Sequence, residues 1–170
     1  IAVSTVTKTA IDGGYKCTCT SPTLKDGSHT ISVKASDNDG NAAAAKTATF
    51  TVDTVPPTLQ ITAPSNDLIT NKKTVTVSGK TDDVSSKPVT VTVNGATVTV
   101  GTDGTFTKDV TLAEGANTIT IVAKDKAGKT TTVTRKVTVD TSAPVIKSVT
   151  LTPNPVDCGK TFIIAVEITD

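Results

Sequence analysis

The chain repeats itself, and that repeat limits what it can fold into more than any single motif does. Residues 25–57 read KDGSHTISVKASDNDGNAAAAKTATFTVDTVPP, and residues 113–144 read AEGANTITIVAKDKAGKTTTVTRKVTVDTSAP. Asp125 follows Asp37 by 88 residues and Asp140 follows Asp53 by 87, so one residue is lost between the two anchors. A period near 87 is far too long for a solenoid unit and suits a complete small β-domain. The chain therefore reads as tandem modules, and an array is the place to look for function.

The composition points the same way. Threonine, a β-favouring residue that tolerates solvent, makes up about a fifth of the chain, and methionine and tryptophan are absent. Of the 16 acids only Glu114 and Glu167 are glutamates. Aspartate suits turns and glutamate suits helices, so these acids are expected in turns. A net charge of +1 makes no electrostatic case for nucleic acid or an anionic membrane. No apolar run is long enough for a spanning helix, so no membrane insertion is expected. The sequence opens in mid-pattern without a methionine, and it is expected to belong to something larger.

Strands can be traced through a central module, residues 56–142. TLQITA (58–63) and TVTVSG (74–79) alternate, and VTVTV (89–93) meets Asn94-Gly95, a strong hairpin signal, before returning over 96–100. Further strands are expected around Phe106 to Leu112, over 117–123 and over 131–139, seven in all. That spacing predicts an all-β sandwich. Its expected core is Val75, Val77, Val89, Val91, Val93, Val98, Val100, Phe106, Ile119, Ile121, Val137 and Val139. Residues 1–55 supply the later strands of a first module, including 15–19 and 30–35. Residues 143–170 supply the opening strands of a third, interrupted by Pro153 and Pro155. Short proline-stiffened linkers (53–57 and 140–144) predict a semi-rigid rod.

The linker VDTxxP, the loop DxxG[NK] and the run GxNTITIxAxDxxG over 115–128 resemble bacterial immunoglobulin-like domains, with the central module similar to the glucodextranase-type variant. The resemblance implies tandem immunoglobulin-like β-sandwiches, one complete and two partial. Such modules occur in surface adhesins, secreted polysaccharide enzymes and phage structural proteins, so it also implies a spacer or display rod at the cell surface or in a virion. The rival reading is a carbohydrate-binding accessory of a polysaccharide-degrading enzyme. Sugar sites favour exposed aromatic platforms, however, and Tyr15, Phe50, Phe106 and Phe162 are mostly expected in cores. The expected partners are neighbouring modules of the same chain, a host or cell-surface glycan or protein, and a second copy paired through the half-modules.

The residue inventory argues against an enzyme. The single histidine, His29, has Asn117 at its equivalent position, and asparagine relays no proton at neutral pH. Gly79-Lys80-Thr81 and Gly159-Lys160-Thr161 echo a phosphate loop but lack its first glycine and its helix. Asp82 and Asp83 are consecutive, so they point to opposite sides of an extended chain. No catalytic residue and no organic cofactor is expected.

Calcium is the one ion with a case. Asp37-Asn38-Asp39-Gly40-Asn41 gathers hard oxygen ligands in one turn, but it lacks the fourth acid and distal glutamate of a full calcium loop, its counterpart at 125–129 carries two lysines, and an ordinary Asp/Asn/Gly turn accounts for it better. Some adhesin arrays resembling this one hold Ca²⁺ where domains meet. The linker acids Asp53 and Asp140 are therefore better placed, with Asp82, Asp83 or Asp103 joining if folding brings them close. The metal candidates are Asp53, Asp140, Asp37 and Asp39. Cys17, Cys19 and Cys158 are expected as free thiols in small apolar niches, since Cys17 and Cys19 diverge along one strand and Cys158 lies in another module.

Overall fold

The computed structural model describes residues 6–152, 154–155 and 158–170. Pro153 lies outside them. Fourteen β-strands and no helix make up the described chain, and none of it is a helix long and apolar enough to cross a membrane.

The central sandwich holds eight strands: β5 (Thr58–Ala63), β6 (Leu68–Thr70), β7 (Thr74–Asp82), β8 (Thr90–Val93), β9 (Ala96–Val98), β10 (Thr105–Thr111), β11 (Gly115–Lys124) and β12 (Thr130–Val139). One sheet runs β10-β7-β5 and the other β6-β12-β11-β8-β9. Period-two alternation sends Val75, Val77, Gly79 and Thr81 of β7 inward, and Ile119, Ile121 and Ala123 of β11 meet them from the opposite sheet. Val91, Val93, Val98, Phe106, Leu112, Val137 and Val139 complete the core, so every core residue lies within this one module. Leu112 and Ala123 are additions to the expected set, while Val89 and Val100 pack only at its edge.

The eighth strand is β6, which the sequence pattern does not reveal. After Pro64 the chain leaves β5, crosses to the other sheet and pairs parallel to β12, Leu68 opposite Val137 and Thr70 opposite Val139. Arg135 holds the crossing: its Nε donates to Pro64 O at 3.1 Å and a terminal nitrogen to Ile61 O at 3.3 Å. Carbonyls freed from one sheet thus find partners before the chain joins the other. At the β8–β9 hairpin, Asn94 (φ 48°) and Gly95 (φ 81°) adopt the left-handed pair that a two-residue turn requires.

Flanking this sandwich are two-stranded antiparallel sheets. β1 (Thr7–Ile11) pairs with β2 (Gly14–Thr18), and β3 (Gly27–Val33) with β4 (Lys46–Val52). Beyond the sandwich, β13 (Val145–Thr152) pairs with β14 (Ile163–Thr169), and Pro155 falls between them. Two expectations about these segments are corrected. All three cysteines are exposed, since among the described residues no second sheet packs over these strand pairs and the loops beside them. Tyr15 and Phe162 are exposed for the same reason, and only Phe106 among the rings is a core residue. Lys8 Nζ sits 4.3 Å from the centroid of the Tyr15 ring, over one of its faces.

Candidate metal centre

Three strands end at one place. Asp53 is the first residue after β4, Asp83 the first after β7 and Asp125 the first after β11. All three are buried, and one carboxylate oxygen from each lies within 4.8 Å of the others. Asp53 comes from the linker of the first module, whereas Asp83 and Asp125 come from loops of the central one. The cluster therefore spans a junction.

Each carboxylate is fixed by its own backbone through one oxygen. Asp53 Oδ1 accepts Val55 N at 3.1 Å, and Asp125 Oδ1 accepts Lys129 N at 2.8 Å. Asp83 Oδ1 accepts the amides of Ser85 (2.8 Å) and Ser86 (2.7 Å). The two central loops are also laced to one another. Lys126 N donates to Ser86 O at 3.2 Å and Ala127 N to Ser86 Oγ at 2.9 Å. Two of the three carboxylates are thereby held together, and the linker brings Asp53 to them. A cleft lined by Phe50, Asp53, Ser85, Ser86, Lys87 and Lys126 opens beside them.

Two of the remaining oxygens are unsatisfied. Asp53 Oδ2 and Asp125 Oδ2 are buried with no hydrogen-bond partner. Among the described residues the one ion pair within 4.0 Å joins Lys87 to Asp82, outside the cluster. Three like charges this close repel by on the order of 3 kcal/mol per pair at an effective dielectric near 20. Unpartnered buried carboxylate oxygens add a desolvation cost. A divalent cation removes both penalties. The donor set is all carboxylate, with no imidazole or thiolate, which suits a hard ion such as Ca²⁺ rather than Zn²⁺.

Of the sequence candidates, Asp53 is in this cluster, and Asp83 joins it as one of the loop acids named with it. Asp82, its neighbour, turns to solvent and pairs with Lys87 at 2.8 Å. Asp103 spends one oxygen on Thr105, at 3.1 Å from its amide and 2.7 Å from its hydroxyl. Asp140, Asp37 and Asp39 are exposed and lie outside the cluster. Asp125 was missed, although the repeat contained the signal. Asp37 and Asp125 share one loop geometry: each amide bonds the carbonyl four residues on (3.0 and 3.1 Å), and each Oδ1 accepts that residue's amide at 2.8 Å. The difference is the last residue. Asn41 donates its side-chain amide to Asp37 Oδ2, whereas Lys129 leaves Asp125 Oδ2 unpartnered.

The next linker is held similarly. Asp140 Oδ1 accepts Ser142 N at 3.0 Å, as Asp53 does Val55 N. Glu114 accepts the Thr141 amide and hydroxyl, both at 2.8 Å. These bonds hold its carboxyl below the usual range, with Lys73 adding to the effect and Asp140 opposing it. A carboxylate with a lowered folded pKa stabilises above its unfolded value, and that contribution is lost as pH falls through the folded one. The Thr141 amide resonance, followed by NMR on acidification, is expected to shift with a midpoint below 4.5.

His29 has a structural role. Its Nε2 lies 2.8 Å from Lys25 O and its ring stacks near Phe50 at 5.7 Å, while Asn117 at the equivalent position bonds Ala113 O at 2.8 Å.

A two-sheet sandwich flanked by strand pairs of the same repeat, with acids at the seam, defines an array of immunoglobulin-like modules. The chain belongs to the bacterial immunoglobulin-like domains: residues 57–141 match the family described as glucodextranase, domain B, and residues 2–54 the family described as bacterial Ig-like domain. It is 34% identical over 140 residues to Bacillopeptidase F of Bacillus subtilis (strain 168), a match covering 82% of this chain and 9% of that protein. Among solved structures, it is similar to the fibronectin(III)-like modules of Clostridium thermocellum CbhA (20% identity, 81% of this chain and 78% of that one, TM-score 0.43). It is also similar to a tetra-tandem repeat from the extending region of a large adhesion protein (22% identity, 95% and 54%, TM-score 0.43).

Proposed function

We propose that this stretch is a non-catalytic spacer in an extracellular or cell-surface bacterial protein, and that Ca²⁺ bound by Asp53, Asp83 and Asp125 stiffens the junction between its modules. The observation that carries this reading is the pair of buried, unpartnered oxygens on Asp53 and Asp125, drawn from two modules to one point. A rod needs independent cores and linkers that resist swivelling. The central core is self-contained, and an ion shared across the seam adds a cross-link where a proline-stiffened linker alone would bend. The same mechanics serve an adhesin stalk or an arm beside a catalytic domain, the setting that a relative named as a peptidase makes reasonable. The virion setting has no support from these relatives and is not proposed.

Calorimetric titration of the chain with Ca²⁺ is the test. One ion per chain is expected, with binding lost in both Asp83→Asn and Asp125→Asn and not reproduced by Mg²⁺ at the same concentration. Absence of binding, or binding that survives both substitutions, would remove the junctional ion.

A further inference from the structure

The linker that brings Asp53 to the seam is also held from behind. Thr54, the next residue, donates its hydroxyl to Asp26 Oδ2 at 2.8 Å. Asp26 stands at the turn into β3, just before Gly27, and Glu114 stands at the corresponding turn before Gly115 and β11. Glu114 follows Asp26 by 88 residues and Thr141 follows Thr54 by 87, so the acid–threonine bond recurs at matching positions of two modules. The two acids differ in length, yet each reaches the threonine beside a linker aspartate. In both copies that aspartate also closes onto the amide two residues ahead. The linker is thus gripped on both sides of the peptide that presents its carboxylate.

The strand ladders show where the second copy leads. Thr58 pairs with Asp82 and Val145 with Thr169, each 87 residues further on, so Asp170 occupies the register position of Asp83. The linker carrying Asp140 therefore runs to a hairpin with an acid at the equivalent place.

We propose that Asp26 is a positioning residue for the junctional metal site, acting through Thr54 to aim the Asp53 carboxylate into the seam. The proposal rests on the calcium reading. Its physical basis is that the donor group of a metal site must be held by a second layer of hydrogen bonds, whose loss commonly weakens metal affinity by about 10- to 100-fold. Without the Asp26–Thr54 bond, Asp53 would sample several linker rotations and spend only part of its time at the other two carboxylates.

The test is Ca²⁺ titration of the full 170-residue chain in four forms. Thr54→Val removes the hydroxyl and keeps the Asp26 charge, and it is expected to weaken binding by on the order of tenfold. Asp26→Asn keeps an acceptor for Thr54 and removes the charge, and it should stay within a few-fold of the parent. Asp26→Glu should bind like the parent, since Glu114 makes the equivalent bond to Thr141 in the other module. Melting temperatures in chelator should be the same for all four, which separates aiming from general destabilisation. Parent-like affinity in Thr54→Val overturns the proposal, as does weak binding confined to Asp26→Asn, which would mark a charge effect alone. A parent chain that binds no Ca²⁺ removes the underlying reading instead, and the proposal with it.

Discussion

Phe106→Ala is expected to cost the central sandwich about 3 to 5 kcal/mol, a large part of the roughly 5 to 15 kcal/mol that holds a typical domain together. Phe106 is the one ring in a core otherwise built from valine, isoleucine, leucine and alanine, and it is 3% exposed. It crosses the sheet surface above Gly79, its partner on β7. A Cβ built on Gly79 would stand 2.8 Å from the Phe106 ring and 2.5 Å from Gln60 O. Glycine is there to admit the ring, and the short valines around it cannot swing in to fill its volume. Gly79→Ala is therefore expected to destabilise from the opposite direction, by about 1 to 3 kcal/mol through overpacking. Urea denaturation of both variants checks this. A Phe106→Ala loss under 1 kcal/mol would mean that the ring carries little of the core.

Much of this fold is legible in the sequence, and what is not has a physical cause. The Asn94-Gly95 hairpin and the alternating valines around it can be read locally, because turn geometry and side-chain alternation are local properties. β6 cannot. Three residues are too few to show a period, and Leu68–Thr70 becomes a strand only because β12 offers an open edge. Burial in the partial modules is equally non-local: the alternation that makes a core in β7 leaves Ile146, Val149 and Ile168 exposed in β13 and β14, where among the described residues no second sheet covers them. The acids divide in the same way. Asp53 stands out because a linker acid must lie near a seam, whereas Asp125 looks like any turn aspartate until the loop of Ser85 and Ser86 is placed beside it.

The seam carries the most diagnostic prediction, because its sign should reverse with calcium. In chelator, Asp125→Asn is expected to raise the melting temperature by several degrees. The substitution removes one of three mutually repelling charges, its amide oxygen can still accept Lys129 N, and its NH₂ can donate to the neighbouring carboxylates. In calcium the order should invert. An ion bound only by the folded junction adds about 2.7 kcal/mol when free Ca²⁺ is 100 times its Kd, on the order of 10 °C for a domain this size, and the variant forgoes it. A buried acid kept only for packing or turn geometry would shift both melts in the same direction. Differential scanning calorimetry in EGTA and in calcium therefore separates the two cases. Parallel shifts would return Asp125 to the status of a turn residue, and crossing curves would identify the three carboxylates as a site whose strain is relieved only by a cation.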